Sequence, residues 1–313
     1  MESCRIEYGK PTCIRPRAMA ASARINALRA RLAASTSKPA IAMAAHNPLS
    51  AKLVAQTAGF DAIWASGFEL SASYAVPDAS ILSPNIHLEM TRAMAEVQTL
   101  PIIADLDTGY GNAINVAYTV PRYEAAGVSA VVLEDKCFPK DSSLRPGGRQ
   151  FLVSTEEFQG KIAAAKASCS ILVIARTEAL IAGLGQEETL QRALAYVDAG
   201  ADAILIHSKQ KTPDEILSFC RAWPGSVPLV IVPTSYPQLS FDEIARLTDN
   251  KVRLVICGNH AIRAAVSAIQ HTFAQIIKEN GIAGVEDKIA SVSDVFELQG
   301  DAAMRELERK FLH

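Results

Sequence analysis

AGADAILIHS, residues 199–208, repeats a phrase that also occurs as AGFDAIWAS at 58–66 and as AGVSAVVLED at 126–135. In each copy the glycine suits the left-handed position just past a helix end, where a side chain with a Cβ is disfavoured. The apolar run that follows suits a strand covered on both faces. The repeat therefore predicts stacked units in which a helix leads into a strand.

Eight apolar runs predict strands, and segments with helical periodicity lie between most of them. The predicted strands are residues 40–44, 61–65, 101–105, 130–134, 171–176, 202–206, 228–232 and 252–257. Strands that alternate with helices eight times favour a closed parallel (β/α)8 barrel of the TIM type over an open sheet. No G-x-G-x-x-G follows the first strand, which weakens the dinucleotide-binding alternative.

The chain of 313 residues is longer than the about 250 residues usual for such a barrel. From about residue 260 it continues as a long apolar helix and further charged helical segments, which we expect to pack against another subunit. We expect residues 1–20 to form a disordered tail. Residues 21–313 are predicted to form a single barrel domain with a C-terminal helical extension.

Composition limits the classes of function. The balance of 31 basic and 33 acidic residues gives a net charge of -2 without a basic stripe, so a nucleic-acid partner is not expected. No apolar run reaches the roughly 18 residues needed to cross a bilayer. The six cysteines are scattered without a C-x-x-C pair, which indicates thiols in a reducing compartment, and we expect a cytoplasmic protein.

In a barrel of this type the active site lies at the carboxyl ends of the strands. Polar residues stand at these predicted ends in six of the eight units. They are Trp64–Gly67, Asp105–Gly109, Glu134–Lys136, Arg176–Glu178, His207 with Ser208, and Gly258–His260.

Three of these residues predict a metal site. Asp105 and Asp107 are two apart, so in an extended chain both carboxylates point to the same side, toward Glu134 of the next strand. Carboxylates that converge repel each other unless a cation intervenes, and oxygen ligands favour Mg²⁺, with Mn²⁺ or Co²⁺ as alternatives. Each acid alone could instead be a turn or capping residue. Their coincidence at adjacent strand ends favours the metal.

Further residues predict an anion site. Arg176 stands in an apolar context, where a charge needs a partner: either Glu178 in a structural ion pair or a phosphoryl or carboxylate group of a ligand. His207 is either a core histidine or a site group. We expect Ser66–Phe68 to form a turn that offers a hydroxyl and backbone N–H groups to an anion, and Trp64 to form a pocket wall.

One connection is unusually long. Residues 135–154 read DKCFPKDSSLRPGGRQFLVS and are polar and rich in glycine and proline. Connections of this length in a compact domain are commonly functional lids or disordered segments. Because this one follows an acidic strand end, we expect a lid.

These motifs resemble the phosphoenolpyruvate mutase/isocitrate lyase superfamily. The resemblance runs from about residue 38 to the C-terminus and does not include residues 1–20. It is carried by GFDAIWASGFELSASYAVPDAS (59–80), ADLDTGYGN (104–112), EDKCFPK (134–140), ARTEALIAGLG (175–185) and ADAILIHSKQKTPDEI (201–216).

The resemblance implies a modified barrel whose terminal helix is exchanged between the subunits of a homodimer or homotetramer. It implies Mg²⁺ held mainly by Asp105, with water bridges to Asp78, Asp107 and Glu134. The positions implied to bind substrate are Trp64, Ser66, Gly67, Phe68, Arg176 and His207.

The resemblance implies that the 135–154 connection is the gating loop of the superfamily, and the sequence of this loop distinguishes its branches. The lyases carry a Lys-x-Cys-Gly-His motif there, which FPKDSSLRPGG lacks, so a lyase is disfavoured. In the mutases this part of the loop resembles Lys-Thr-Asn, and in the hydrolytic branch it resembles Lys-Asp-Thr. This chain has Lys140, Asp141 and Ser142 there. Ser142 matches neither pattern but keeps the hydroxyl of the hydrolytic branch.

The resemblance therefore implies Mg²⁺-dependent cleavage of 3-phosphonopyruvate by water to pyruvate and phosphate. The implied catalytic residues are Asp78, Lys140, Ser142, Arg176 and His207. A mutase that forms phosphoenolpyruvate is the first alternative. A decarboxylase of oxaloacetate-like acids and a non-catalytic barrel that binds a 2-oxo acid are the others.

Overall fold

The structure is a computed structural model that describes residues 21–34 and 36–312. The disordered tail predicted for residues 1–20 lies outside the described residues. By its contacts the chain divides into two compact units, one that ends at Ala265 and one that includes the residues from Val266 onward. The prediction of a single domain over residues 21–313 stays a prediction.

The first unit is a closed barrel of eight parallel strands in sequence order, which confirms the predicted fold. Each predicted strand end lies within one residue of the observed end. The strands are β1 (Ala40–Ala45), β2 (Ala62–Ala65), β3 (Ile102–Asp105), β4 (Ala130–Glu134), β5 (Leu172–Thr177), β6 (Ala203–Ile206), β7 (Leu229–Ile231) and β8 (Val252–Cys257).

One helix precedes β1, and at least one helix follows each of the strands β1 to β7. These helices are α1 (Ala21–Ala33), α2 (Pro48–Gln56), α3 (Gly67–Ser73), α4 (Pro84–Val97), α5 (Ala113–Ala125), α6 (Thr155–Ser168), α7 (Gly185–Asp198), α8 (Asp214–Ala222) and α9 (Phe241–Leu247), with a short 3₁₀ helix at Pro233–Ser235. The glycines of the repeated phrase, Gly59, Gly127 and Gly200, have φ values of 105°, 89° and 101°, as the helix-end prediction requires.

The core consists of the apolar strand residues and the inner faces of the helices. Every residue of β4 is buried, and the same holds for β2, β3 and β6. Strands covered on both faces explain why the sequence shows continuous apolar runs rather than alternation. The acidic and basic residues that end these strands are therefore carried into buried positions by a rigid sheet.

The last helices are α10 (His260–Glu279), α11 (Val292–Gln299) and α12 (Asp301–Phe311). None of the three contains a buried residue. Large apolar side chains on them are exposed, among them Val266, Ile269, Phe273, Ile277, Val292, Phe296 and Phe311. Exchange of the terminal helix between subunits stays a prediction. No helix in residues 21–34 or 36–312 has the length and apolar character of a membrane span.

Candidate active site

The carboxyl ends of the strands open into one cavity of about 540 Å³, a volume that includes its mouth. Polar groups from β2, β3, β5 and β6 meet there with residues of the 135–154 connection. The lining consists of Trp64, Ser66, Phe68, Asp78, Asp105, Lys140, Ser142, Ser143, Leu144, Arg176, His207, Val232, Thr234, Gly258 and Asn259.

Asp105 and Asp107 bring two carboxylates together at the end of β3. A Cβ placed on Gly67 would lie 3.4 Å from Asp105 Oδ2 and 3.2 Å from Asp107 Oδ1, so both side chains reach the same point. The sequence predicted that both carboxylates point to one side because the chain is extended there. They do meet, but Asp107 has a φ of 49°, so the chain is not extended at this residue. A left-handed aspartate is a strained position, and such residues concentrate at functional sites.

Lys140, on the long connection, reaches into this group of acids. Its Nζ lies 2.8 Å from Asp78 Oδ1 and 2.6 Å from Asp107 Oδ1. Ser80 Oγ donates to Asp107 Oδ2 at 3.1 Å. We call Asp78, Asp105, Asp107 and Glu134 the acidic cluster. Lys140 supplies the one ammonium group that pairs with it among the described residues.

Burial raises the pKa of Asp105, and it raises the pKa of Asp107 to about 6 in spite of Lys140. Burial would also raise the pKa of Asp78, but the charge of Lys140 and hydrogen bonds from Lys140 and Ser142 outweigh it and lower that pKa. The acids in return hold the pKa of Lys140 well above its usual range, against the effect of burial. More negative charge converges here than Lys140 compensates.

The acidic cluster fits a hard cation. Its donors are all carboxylate oxygens, and Glu134 Oε1 is buried without a hydrogen-bond partner in the described part of the chain. Within residues 21–34 and 36–312, no three acids, histidines or cysteines stand close enough to enclose a metal as they are placed. Because Lys140 lies between Asp78 and Asp107, a cation would displace its ammonium group or share these oxygens with it.

Arg176 lies beside the acidic cluster because β4 and β5 pair in a register that sets Glu134 opposite it. Its Nε lies 3.3 Å from Glu134 Oε2 and 2.5 Å from Glu178 Oε1. Burial would lower the pKa of Arg176, but Glu178 and Glu134 raise it, so the guanidinium stays charged. Glu178 thus orients Arg176, and the guanidinium remains at the cavity wall, where it is free to meet an anion.

Glu178 is fully buried and is bound from several sides. Lys136 Nζ lies 3.1 Å from its Oε2, Ser143 Oγ donates to the same oxygen at 2.5 Å, and its backbone N–H donates to Asp135 Oδ1 at 2.8 Å. Burial alone would raise the pKa of Glu178, but Arg176 and Lys136 hold it well below the usual value. We call Lys136, Ser143, Arg176, Glu178 and His207 the anchor cluster.

His207 lies in the site, as predicted, at the end of β6. Its Nδ1 is 2.8 Å from Arg176 Nη2 and 3.0 Å from Glu178 Oε1. Burial, with Arg176 in addition, lowers the pKa of His207, which favours the neutral ring. Since Arg176 is always a donor, Nδ1 accepts from it in the tautomer that carries its proton on Nε2. The contact with Glu178 is then not an ion pair.

Ser66–Phe68 was expected to be a turn, and the structure differs. Ser66 is the N-cap of α3, where its Oγ accepts from Glu69 N at 3.1 Å. The N–H of Gly67 points to Asp105 Oδ2 at 3.4 Å. The prediction of a turn was wrong because a serine three residues before a glutamate is also a helix-start signal. Ser66 and Phe68 nevertheless line the cavity.

The 135–154 connection folds over the cavity. It is tied at its base by an antiparallel bridge between Lys136 and Leu152, and Lys140, Ser142, Ser143 and Leu144 form part of the cavity wall. A hydrogen bond joins Ser142 to Asp78. This placement agrees with the expectation of a lid.

Most of the predicted site residues come together. Nine of them line the cavity directly, while Gly67, Asp107 and Glu134 lie immediately behind through the contacts given above. Sequence reasoning placed Lys136 at a polar strand end without a role, and it missed Ser143, Leu144, Val232 and Thr234 as site residues. Val232 and Thr234 follow β7, one of the two strands whose ends are absent from the polar strand ends named above, so the strand-end rule could have found them. Nothing local distinguishes Ser143 from Ser142.

Comparisons with known proteins agree with this geometry. A family model described as phosphoenolpyruvate phosphomutase matches residues 28–277. A phosphonopyruvate hydrolase of Variovorax sp. (strain Pal2) is 64% identical over 274 residues, which is 87% of this chain and 93% of that protein. A phosphoenolpyruvate phosphomutase of Tetrahymena pyriformis is 44% identical over 273 residues, which is 86% of this chain and 90% of that protein.

A solved structure of a phosphonopyruvate hydrolase in complex with oxalate and Mg²⁺ superposes with a TM-score of 0.86 and 59% identity. The match covers 93% of this chain and 99% of the solved chain. The family model and both relatives extend over far more than half of the sequence. The chain therefore belongs to the phosphoenolpyruvate phosphomutase family.

Proposed function

We propose that the chain is a phosphonopyruvate hydrolase, an enzyme that cleaves the carbon–phosphorus bond of 3-phosphonopyruvate with water. The observation that carries this proposal is the 64% identity to a phosphonopyruvate hydrolase, against 44% to a phosphoenolpyruvate phosphomutase, over nearly the same length. The site supports it, because one cavity holds an acidic cluster suited to Mg²⁺ and a fixed guanidinium suited to a phosphonate.

Asp105 would hold Mg²⁺ directly, and Asp78, Asp107 and Glu134 would reach it through water. When bound, the ion supplies a Lewis acid that neutralises charge on the 2-oxo and carboxylate oxygens of the substrate. The relative solved with oxalate and Mg²⁺ contains a dicarboxylate and this metal together. Glu134 Oε1, buried and without a hydrogen-bond partner among the described residues, is the feature that most directly supports a cation here.

Arg176 would bind the phosphonyl oxygens. Its Nε is held by Glu178 and Glu134, which leaves the orientation of the guanidinium fixed before a ligand arrives. A charged donor set in place beforehand stabilises negative charge on a transferring phosphoryl group without reorganisation during the reaction. Neutral His207 would add a donor through Nε2 and no competing charge.

The residues of the lid would position the water. Asp78 keeps a lowered pKa and accepts hydrogen bonds from Lys140 and Ser142, so it is ionised and able to accept one from water. The C–P bond breaks as a P–O bond to water forms. One proton of the water ends on C3 of the pyruvate enolate and the other stays with phosphate. Asp78 is the group we propose to carry the first of these protons.

Ser142 would decide between hydrolysis of the substrate and its rearrangement to phosphoenolpyruvate. A mutase must exclude water so that the phosphoryl group returns to the enolate oxygen. The Ser142 hydroxyl is smaller than a carboxamide and lies on the cavity wall near Asp78, where we propose that it admits a water. No feature of the described site favours a decarboxylase or a binding module over this reaction.

The test is to incubate the protein with 3-phosphonopyruvate and Mg²⁺ and to measure pyruvate, phosphate and phosphoenolpyruvate together. We expect equal amounts of pyruvate and phosphate and no turnover after the metal is removed with EDTA. Phosphoenolpyruvate as the main product would replace the hydrolase proposal with the mutase. Turnover of oxaloacetate alone would point to the decarboxylase.

We also propose a homo-oligomer, with a second copy of this chain covering the apolar face of α10. Val266, Ile269, Phe273 and Ile277 follow helical spacing and are 47% to 81% exposed within one chain. Contiguous apolar surface of this kind marks an association site. Light scattering should give a dimer or tetramer for the wild type and a smaller species for Phe273→Glu. A monomeric wild type would contradict this proposal.

For the location we propose a reducing compartment such as the cytoplasm. Cys137, Cys169, Cys220 and Cys257, the cysteines of the described part of the chain, are all free thiols. Thiol titration of the purified protein under native and denaturing conditions should find these groups reduced without added reductant. Disulfides in freshly purified protein would count against it.

A further inference from the structure

Lys136 is a charged residue in the anchor cluster with no role in the reaction proposed above. It stands two residues after β4 and is 1% exposed. Its Nζ donates to the backbone oxygen of Asp141 at 2.9 Å and to Ser143 Oγ at 2.5 Å, and it lies 3.1 Å from Glu178 Oε2. Lys136 stands at the base of the lid, at its bridge to Leu152; two of its partners lie further along the lid and the third belongs to the barrel.

The Ser143 hydroxyl is used to its full capacity. It donates to Glu178 Oε2 at 2.5 Å, and it accepts from Lys136 Nζ at 2.5 Å and from Arg176 Nη2 at 3.1 Å. A hydroxyl has one proton and two lone pairs, so none of this capacity remains for a substrate or a water. The two neighbouring serines of the lid therefore differ, because the Ser143 hydroxyl is saturated by three protein contacts whereas Ser142 lies near Asp78, the group proposed to bind the water.

Two of the three contacts of Ser143 bear on Arg176, since one is with Arg176 itself and one is with Glu178, which orients it. Glu178 holds Arg176 Nε and Ser143 holds Arg176 Nη2, so two sides of the guanidinium are fixed when the lid is in this position. Were residues 141–143 of the lid to move away, Lys136 would keep only Glu178 of these three partners and Glu178 would lose one of its donors. Loss of hydrogen bonds to a buried ammonium group is costly. The closed lid and the orientation of Arg176 therefore support each other.

We propose that Lys136 and Ser143 form a latch that holds the lid closed and, through Glu178, sets the orientation of Arg176. Both are positioning residues, which act on the reaction through the lid and through Arg176. The effect on turnover rests on the proposed function. The closure of the lid does not, and it is measured separately.

Trp64 supplies the measurement of closure. It lines the cavity together with Leu144 of the lid and is 3% exposed in this arrangement. The chain has two tryptophans, and Trp223 packs on Phe219 outside the site. In a Trp223→Phe background, quenching of fluorescence by acrylamide therefore reports how far the lid uncovers Trp64.

The variants are Ser143→Ala, Lys136→Met and the two combined, each with Mg²⁺ and with Mg²⁺ plus oxalate. Loss of a buried hydrogen bond to a charged group corresponds to a fall in kcat/KM of about 10- to 100-fold. We expect this fall in each single variant, stronger acrylamide quenching of Trp64, and unchanged Mg²⁺ affinity by calorimetry. Because the two residues act as one unit, we expect the double variant to be no worse than the weaker single variant.

Lys251→Met is the matched control. Lys251 Nζ donates to the carbonyls of Cys220, Arg221 and Trp223, so it is a lysine bound by several partners away from the lid. Its loss should lower the melting temperature without a change in the quenching of Trp64. Quenching equal to that of the parent protein in Ser143→Ala and Lys136→Met would overturn the latch. So would losses in kcat/KM that multiply in the double variant. If the parent protein releases no phosphate, the proposed function fails while the quenching still decides on the latch.

Discussion

The acidic cluster and the anchor cluster line the same cavity, and they differ in how their charges are balanced. In the acidic cluster, Asp78, Asp105 and Asp107 share the ammonium group of Lys140. In the anchor cluster, one carboxylate, Glu178, is paired with two cations and a hydroxyl. The first has negative charge in excess, whereas the second has one positive charge more than its single carboxylate.

The difference shows which half awaits a cation. Burial raises the pKa of Asp105 and Asp107, a sign that these carboxylates lack compensation, whereas the cations hold the pKa of Glu178 well below its usual range. Carboxylates left in this state call for a metal ion. In the anchor cluster the carboxylate is already compensated by cations of the protein. Arg176 is therefore in place before the substrate binds.

The largest expected effect is from the loss of Asp105. Replacement of Asp105 by Ala removes the proposed direct metal ligand and should lower kcat by at least about 1,000-fold, with loss of Mg²⁺ binding by calorimetry. Asp242→Ala, at an exposed aspartate paired with Lys38, is the control and should leave both quantities unchanged. Substantial activity in Asp105→Ala would remove Asp105 from the metal site.

A smaller loss is expected on the anchor side. Arg176→Lys keeps the positive charge but loses the planar fork that contacts Glu134, Glu178 and Ser143. We expect kcat/KM to fall by about 100-fold. Mg²⁺ affinity should stay within about threefold of the wild type, because the metal belongs to the other cluster. Parallel loss of metal binding would show that the two clusters are not separate in function.

Ser142 tests the boundary between the clusters. Ser142→Asn fills the space proposed for water and should lower phosphate release by about 10-fold while phosphoenolpyruvate appears among the products. Ser142→Thr keeps the hydroxyl and should retain hydrolysis. Chromatographic separation of the products measures both. An unchanged product ratio in Ser142→Asn would mean that another residue excludes or admits the water.

His87 lies outside both clusters and should matter for stability alone. It is bound to Tyr123 and to the Ala65 carbonyl, and burial lowers the pKa of His87 to about 4. His87 binds a proton more tightly in the unfolded chain than in the folded one. Its contribution to the free energy of unfolding is therefore full above about pH 6.5 and is lost as the pH falls toward 4. The loss should reach about 3 kcal/mol in urea unfolding. His87→Gln should remove this pH dependence of the free energy of unfolding, with little effect on kcat at pH 7.5. If the pH dependence persists in the variant, another group causes it.

The fold was predictable because the strands are buried on both faces and so appear as apolar runs that end in polar residues. Asp105, Glu134 and Arg176 were found in the same way, since a parallel barrel brings all strand ends to one rim. Asp78 and Lys140 came only from the resemblance, because loops between elements carry no periodicity. The role of Lys136, which stands at a polar strand end, and the presence of Ser143 in the site were not predicted, since both depend on where a 20-residue connection folds back.

The central claim is that water, and not the enolate oxygen, captures the phosphoryl group. A reaction of the wild-type protein with 3-phosphonopyruvate and Mg²⁺ in water enriched in ¹⁸O, followed by ³¹P nuclear magnetic resonance, tests it most directly. The account predicts one solvent-derived ¹⁸O in each phosphate, with pyruvate formed in equal amount. Phosphoenolpyruvate whose phosphoryl group carries no solvent oxygen, as the main phosphorus product, would contradict it.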